Sequence, residues 1–409
     1  MNYIRPSKSE KTIKIDRIWV LRVFLIILGS ILIARLFYLQ IIQHDNYQAK
    51  ALAEHTKRFQ IPAERGLIKM SDGAGYSPVV LNEKKFIVFA DPVYITDSKL
   101  ASQSLIDIVG GDQKELEKKL SDSKSRFVIV AKKVSKEQSE RIQSLKIKGI
   151  GLTAVSARTY PQGTLASQVL GFVNDDGVGQ YGLEGFLDEE LKGDPGTQKA
   201  ITDINGIPLA INNDNILKNP SPGTDINLSI DIRMQRIAEE ALKNGIDRTK
   251  SIRGNAVIMN PNTGEIKAMA NLPTYDPNQY NKVEDISLFT NATTTLAWEP
   301  GSVMKPLLMG ETFTEGTLNM NSKYSDAGFV QIDDRRITNS INWGAQTMSI
   351  QDIISKSLNT GAVYMLKSLG GGEINQQARQ KYYDQLTTKY MFGQVTGVEQ
   401  SGEAKGFVS

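Results

Sequence analysis

Residues Ile18 to Ile42 form a run of 25 mostly apolar residues, and this run divides the chain before anything else can be read. About 20 apolar residues cross a bilayer as a helix. A single span in lipid has to be helical, because every backbone N–H and C=O must be satisfied within it. Arg22, Arg35 and Gln40 interrupt the run and leave Val23–Ala34 as its uninterrupted stretch of 12 residues. The two arginines are therefore expected to snorkel toward opposite interfaces. A buried amphipathic helix would show a similar pattern. A cleaved signal peptide is the other rival, with Ala51-Leu52-Ala53 as its cleavage site. That tripeptide lies far beyond the apolar run, across Gln43-His44-Asp45-Asn46, so an uncleaved anchor is preferred. Five Lys/Arg precede the span within 15 residues and two follow it. The positive-inside rule then places residues 1–17 in the cytoplasm and residues 43–409 outside.

What lies outside has few chemical options. The chain contains no cysteine, which excludes disulfides, thiolate catalysis and Cys-based metal sites. Its two histidines, His44 and His55, sit near the N-terminus, and residues 56–409 contain none. A Ser-His-Asp triad and a His-ligated metal are thereby excluded from the bulk of the protein. No metal or cofactor is expected. Net charge is +3 with no long single-sign run, so nothing points to nucleic acid.

One stretch supplies a nucleophile of another kind. Trp298-Glu-Pro-Gly-Ser302-Val-Met-Lys305-Pro306 places a hydroxyl and an amine three residues apart, almost one helical turn, so both lie on one face. A serine needs a neighbouring base to take its proton. A lysine serves only if burial or a nearby cation lowers its pKa from about 10.4. Pro300-Gly301 breaks the chain before Ser302, and Pro306 suits a first helical turn. Val303, Met304, Leu307, Leu308 and Met309 predict a helix that is apolar on most sides and buried. An incidental Ser and Lys on a core helix is the plain alternative, but lysine is rarely buried without a partner. A second match, Ser121-Asp-Ser-Lys124, lies in a Lys/Ser-rich stretch and reads as solvated surface.

A Ser-Lys site for acyl transfer needs a further proton carrier and polar groups to hold an amide. Two Ser-x-Asn matches lie downstream. Ser357-Leu-Asn359 follows a helix that opens with the capping pattern Ser349-x-x-Asp352, and it interrupts the helical run as a tight turn. Ser340-Ile-Asn342 precedes an irregular Trp-Gly segment and is the lesser candidate.

Around these motifs the chain reads as multidomain α+β. Residues 43–222 are mixed and strand-rich, with strands at 86–90 and 126–130 and charged helices at 113–122 and 135–146. Pro220-Ser-Pro-Gly223 is taken as a domain boundary. Beyond it come a strand at 225–230, a helix capped by Asp231, and a hairpin formed by 256–259 and 265–269.

The ordered motifs resemble those of the class B penicillin-binding proteins, membrane-anchored D,D-transpeptidases that cross-link peptidoglycan. The pedestal, or dimerisation, pieces are Arg65-Gly66-Leu-Ile68, Arg158-Thr-Tyr-Pro161, Leu170-Gly-Phe-Val173, Gly182-Leu-Glu184 and Gly193-Asp-Pro-Gly196. The catalytic pieces are Leu228-Ser-Ile-Asp231, Asn262-Thr-Gly-Glu265, Ala268-Met-Ala270, Pro273, Asp276-Pro-Asn278 and the nonapeptide at 298–306. The compact pedestal is more similar to the division-type branch than to the elongation-type one.

The resemblance implies a cytoplasmic tail (1–17), a transmembrane helix (18–42), a pedestal (43–222) and, in 223–409, the first part of a transpeptidase domain of the serine β-lactamase-like fold. It implies a bacterial cytoplasmic-membrane protein that crosses once, with its bulk outside. Ser302 would attack the penultimate D-alanine of a stem pentapeptide and release the last one. Lys305 would take the serine's proton, Ser357 would relay a proton to the leaving amine, and Asn359 would hold the substrate amide. β-Lactams would acylate Ser302. A membrane glycosyltransferase and divisome or elongasome proteins are the implied partners, alongside membrane lipid.

The family's Lys-Thr-Gly element is absent from the 409 residues, and only 50 residues follow Asn359. The chain is therefore expected to be truncated at its C-terminus and to have an unfinished, inactive site. A non-catalytic membrane-anchored scaffold of the cell-wall machinery is the alternative, with a β-lactam sensor or hydrolase behind it.

Overall fold

The computed structural model describes residues 17–47, 56–201 and 216–409. The tail at 1–16, the Ala51–Ala53 site and His55 lie outside the described residues. The described residues fall into two compact units, one drawn from Met1–Glu64 and Gly193–Pro222, the other from Arg65–Lys192 and Gly223–Ser409.

In the first unit, helix Arg17–Phe37 continues as a π turn, Tyr38–Ile42. Leu21–Ile42 is long and apolar enough to cross a membrane, with a mean hydropathy of 2.2. Leu21, Phe24, Ile26, Leu32 and Ile33 are all exposed, so the helix has no core to face among the described residues. Such an all-round apolar surface suits lipid rather than water. The unit also holds an antiparallel sheet in the order Thr56–Ile61, Gly196–Ile201, Ile216–Lys218.

The second unit is organised by one strand of 15 residues, Tyr76–Ala90. Its first half pairs antiparallel with Ile68–Ser71. Its second half is gripped on both sides, by Val128–Val134 and by Ile150–Thr159. Helices Ser98–Val109, Gln113–Leu120 and Lys136–Ser144 cover that end, started by Asp97, Asp112 and a Ser135/Gln138 capping box. Val88, Ala90, Leu105, Leu120, Val134 and Ile142 form the core beneath them. The charged helices at 113–122 and 135–146 are thus present, and each buries only its apolar side.

Strand Ile226–Asp231 pairs in parallel with Ile68–Ser71. The break at Pro220–Gly223 therefore interrupts the chain but not the sheet, and Leu228 and Ile230 share a core with Ile68, Met70 and Val80. Asp231 caps helix Ile232–Thr249 by accepting from the N–H groups of Arg233 and Met234. That helix lies on the hairpin Gly254–Met259/Ile266–Leu272. Gln235 fastens it, donating to Met269 O at 2.9 Å and accepting from Met269 N at 2.8 Å.

Three motif fragments that are far apart in sequence meet under this sheet. Glu184 is fully buried and accepts from Arg65 Nε at 2.7 Å and from Arg158 Nε at 2.6 Å. Arg65 also reaches Asp188 at 2.7 Å, and Arg158 donates to Asn82 Oδ1 at 2.8 Å. Burial and the neighbouring Glu184 push the Tyr160 hydroxyl pKa well above its ordinary value. The chain packs so closely here that a Cβ on Gly179 would lie 1.8 Å from Glu184 O.

Candidate active site

The site lies above a separate core of Leu308, Met348, Ile350, Ile353, Leu358 and Met365. Gly301, at φ +66°, lets the chain reverse after Pro300. A 3-10 turn, Gly301–Met304, then leads into helix Lys305–Thr314. Pro306 sits in the first helical turn, where its missing N–H costs nothing. The expectation of a helix buried on most sides is corrected. Lys305, Leu308, Glu311 and Thr312 are buried, but Val303 is 66% exposed and Ser302 is also exposed. The 3-10 turn ends on a rim, and only one face of the helix that follows meets the core.

The second strand of the site is a turn between helices Ile350–Ser355 and Asn359–Leu369. The first helix opens with the expected capping box of Ser349 and Asp352. Leu358 is fully buried and anchors the turn from below. Ser357 adopts a left-handed conformation with φ +52°, which is unfavourable for a residue with a Cβ. The helices can approach because position 361 is glycine; a Cβ there would meet Ile353 at 2.5 Å.

The four residues singled out from sequence come together. Lys305 Nζ lies 2.7 Å from Ser357 O, 2.9 Å from Asn359 Oδ1 and 3.1 Å from Ser357 Oγ. Ser357 Oγ is 3.0 Å from Ser302 Oγ. Asn359 Nδ2 donates to Thr338 O at 2.9 Å, which fixes the amide. Among the described residues Lys305 makes no direct hydrogen bond to Ser302; Ser357 stands between them. One-turn spacing put both side chains on one face, but the change from 3-10 to α geometry at Lys305 turns its amine inward.

This arrangement suits either protonation state of the amine. An ammonium donates to all three acceptors. A neutral amine donates to Ser357 O and Asn359 Oδ1 and accepts from the Ser357 hydroxyl, which can then accept from Ser302. That order makes a two-step path for the Ser302 proton, through Ser357 to Lys305. Lys305 is 8% exposed, and burial lowers its pKa below the ordinary lysine value with no carboxylate to offset it.

The other matches lie elsewhere. Asn342 Oδ1 accepts from Gly344 N within its own loop, and Ser340 has no bond to Ser302 or Lys305 among the described residues. Ser121 Oγ bonds Glu117 O on an exposed helix end. Sequence reasoning missed Asp326, Asn339 and Thr360, a polar cluster directly behind Asn359. Only the proximity of Asn339 to the Ser340-Ile-Asn342 motif could have drawn notice.

Residues 254–409 match the penicillin-binding protein transpeptidase domain and residues 60–228 the penicillin-binding protein dimerisation domain. Peptidoglycan D,D-transpeptidase FtsI of Buchnera aphidicola is 30% identical over 415 aligned positions, covering 100% of this chain and 70% of that protein. The chain belongs to the class B penicillin-binding proteins. Stage V sporulation protein D of Bacillus subtilis is 27% identical over 98% of this penicillin-binding protein and 60% of its own length. The chain thus spans between 60% and 70% of the length of these two relatives. Penicillin-binding protein 2X of Streptococcus thermophilus shares the fold, with a TM-score of 0.63 and 25% identity over 86% of this chain and 55% of that one. Helicobacter pylori PBP2, solved in complex with MreC, gives a TM-score of 0.66 at 21% identity, over 87% of this chain and 69% of that one. The pedestal and transpeptidase architecture expected from sequence is the one found.

Proposed function

We propose that this protein is a serine-type peptidoglycan D,D-transpeptidase that works through an acyl-enzyme on Ser302. The observation that carries the reading is the continuous hydrogen-bonded path Ser302–Ser357–Lys305–Asn359, built from two segments about 50 residues apart. Ser302 Oγ attacks the carbonyl of the penultimate D-alanine of a stem peptide, and its proton passes through Ser357 to Lys305. The tetrahedral intermediate collapses, the proton returns through Ser357 to the departing amine of the terminal D-alanine, and an ester remains on Ser302. The amine of a neighbouring stem attacks that ester and forms the cross-link. Asn359 keeps the amine in place and faces the substrate amide. A β-lactam enters by the same first step, and its ring opens onto Ser302.

The modules are assigned as a membrane helix at 18–42 with its N-terminus in the cytoplasm, a pedestal at 43–222 and a transpeptidase portion at 223–409. Helicobacter pylori PBP2 is solved in complex with MreC, and a protein partner from the cell-wall machinery is inferred for this chain as well. No Lys-Thr-Gly occurs in the 409 residues, and we propose that these residues taken alone are inactive. The compact pedestal favours the division-type branch.

Incubation of the complete polypeptide with a penicillin, followed by peptide mass mapping, is expected to give one penicilloyl adduct, on the peptide containing Ser302. An adduct on another residue, or none, would overturn the assignment. The acylation rate is expected to rise with pH as Lys305 loses its proton, with a midpoint below the ordinary lysine value of about 10.4. Tyr382, whose hydroxyl donates to Met304 O, has its pKa raised by burial. A rate that is flat in pH, or that falls as pH rises, would exclude Lys305 as the base.

A further inference from the structure

Asn359 begins a helix, and a helix N-terminus in isolation is free to tilt. Here it is clamped from the side by residues that touch neither Ser302 nor Lys305. Strand Arg335–Thr338 ends beside it. Thr338 O takes the Asn359 amide, and the next residue, Asn339, accepts from Thr360 N at 3.1 Å, with Thr360 Oγ1 also 3.1 Å from that oxygen. Asn339 is itself held, because its Nδ2 donates to Asp326 Oδ2 at 3.1 Å. The same Asp326 oxygen accepts from Thr360 Oγ1 at 2.8 Å and from Tyr324 OH at 3.2 Å, and its other oxygen accepts from Gly328 N at 2.7 Å.

Asp326 therefore joins both sides of the clamp. It lies at the end of strand Lys323–Asp326, is 2% exposed, and has no cation partner among the described residues. A buried carboxylate without a cation is costly unless several donors converge on it. Four do. Burial raises its pKa, but the hydrogen bonds from Thr360, Gly328, Asn339 and Tyr324 outweigh that and hold it below the usual carboxylate range. Neutral donors alone thus keep it charged, and each of them is immobilised in return. Two of the four lead directly to the Ser357–Asn359 turn. That turn needs support, since Ser357 holds an unfavourable backbone conformation.

We propose that Asp326 is a positioning residue for acylation: through Thr360 and Asn339 it fixes the start of helix Asn359–Leu369, and with it the Ser357 hydroxyl and Asn359 amide that orient Lys305. This rests on the reading that Ser302 is the acylated residue. The substrate meets Ser302 and Asn359, not Asp326, so Asp326 acts on the non-covalent step only indirectly, through Asn359, and more strongly on the relay that serves acylation. A relay of two bonds near 3 Å is sensitive to displacement, and a 1 Å misplacement can cost about 100-fold in rate.

The experiment resolves the two steps with a fluorescent penicillin in stopped flow, on the complete polypeptide in detergent. It measures the dissociation constant of the initial complex and the acylation rate constant separately. Asp326→Asn is expected to lower the acylation rate constant by about 10–100-fold, with a much smaller rise in the dissociation constant. Thr360→Val, which removes the hydroxyl at nearly constant volume, is expected to lower it in the same sense by less. The exchange Asp326→Asn with Asn339→Asp keeps one carboxylate and one amide in the clamp and is expected to restore most of the rate. If Asp326→Asn does not fold, Thr360→Val decides. Wild-type acylation in a folded Asp326→Asn or Thr360→Val protein would overturn the proposal. So would a loss accounted for by fewer active molecules, or an exchange variant that regains its melting temperature but not its rate. Failure of the underlying reading is separately visible, as a wild-type protein whose Ser302 takes no adduct.

Discussion

Lys305→Met is expected to lower the rate of Ser302 acylation by about 10²–10⁴-fold, the range of a lost general base, while the protein stays folded. Methionine follows the lysine chain closely in length and volume, so the cavity is refilled. What disappears is the amine and its bonds to Ser357 and Asn359. Two effects on stability oppose each other. The lowered pKa of Lys305 means that the folded state binds its proton less tightly than the unfolded chain does. Stability from this group therefore rises with pH from the folded pKa toward the unfolded value, and at neutral pH the buried amine is a cost that methionine removes. Against this, Ser357 O and Asn359 Oδ1 lose a donor, worth about 1–3 kcal/mol for a buried group. Both residues are only half-buried, so water can reach them and that penalty shrinks. The expected net change is within about 1 kcal/mol, a small shift in the melting curve. Near-normal acylation by Lys305→Met would mean that Ser302 is activated by something else. A collapse of the fold would mean that Lys305 is chiefly structural.

Glu184→Ala reverses that pattern, with a large loss of stability from a residue that takes no part in the chemistry. Glu184 is fully buried and pairs with two guanidinium groups whose side chains are 9% and 3% exposed. Removing it leaves Arg158 with Asn82 as its hydrogen-bond partner among the described residues and Arg65 with the partly exposed Asp188. Breaking a buried ion pair by deleting one partner costs about 3–5 kcal/mol, because the remaining charge is stranded. Thermal unfolding of the detergent-solubilised protein should show a fall on the order of 10 °C. Glu184→Gln, which keeps the acceptor oxygen and most of the volume, should cost less. A change below about 1 kcal/mol in Glu184→Ala would mean that water enters and replaces the carboxylate.

The two variants also mark what sequence could reveal. Ser302, Lys305, Ser357 and Asn359 were legible because their chemistry is local: each pair lies within one turn of the chain, next to Gly, Pro or capping signals. The hairpin at 254–272 and the caps at Asp231 and Ser349 were legible for the same reason. Arg65, Arg158 and Glu184 were recognised as motif fragments, but their mutual contact spans 119 residues and no periodicity records it. Asp326 was missed because an aspartate in a short polar strand looks solvated until the fold buries it. The exposure of Val303 was missed because apolar composition says how a helix can pack, not how much of it a neighbour covers. The extent of strand Tyr76–Ala90 was likewise hidden, since its middle, Asn82-Glu-Lys-Lys85, is polar.

That strand has a mechanical consequence. At about 3.3 Å per residue it is roughly 50 Å long, and it is stitched along its length, first to Ile68–Ser71 and then to two strands at once. Ile68–Ser71 pairs directly with Ile226–Asp231, which runs without a linker into the Asp231-capped helix. A ladder of backbone hydrogen bonds loaded in shear is stiff, because many bonds share the load. A partner that grips the helical lobe at one end would therefore load the whole strand, and the ladder would yield first where its register breaks, at Phe86–Phe89 and between Leu228 and Asp231.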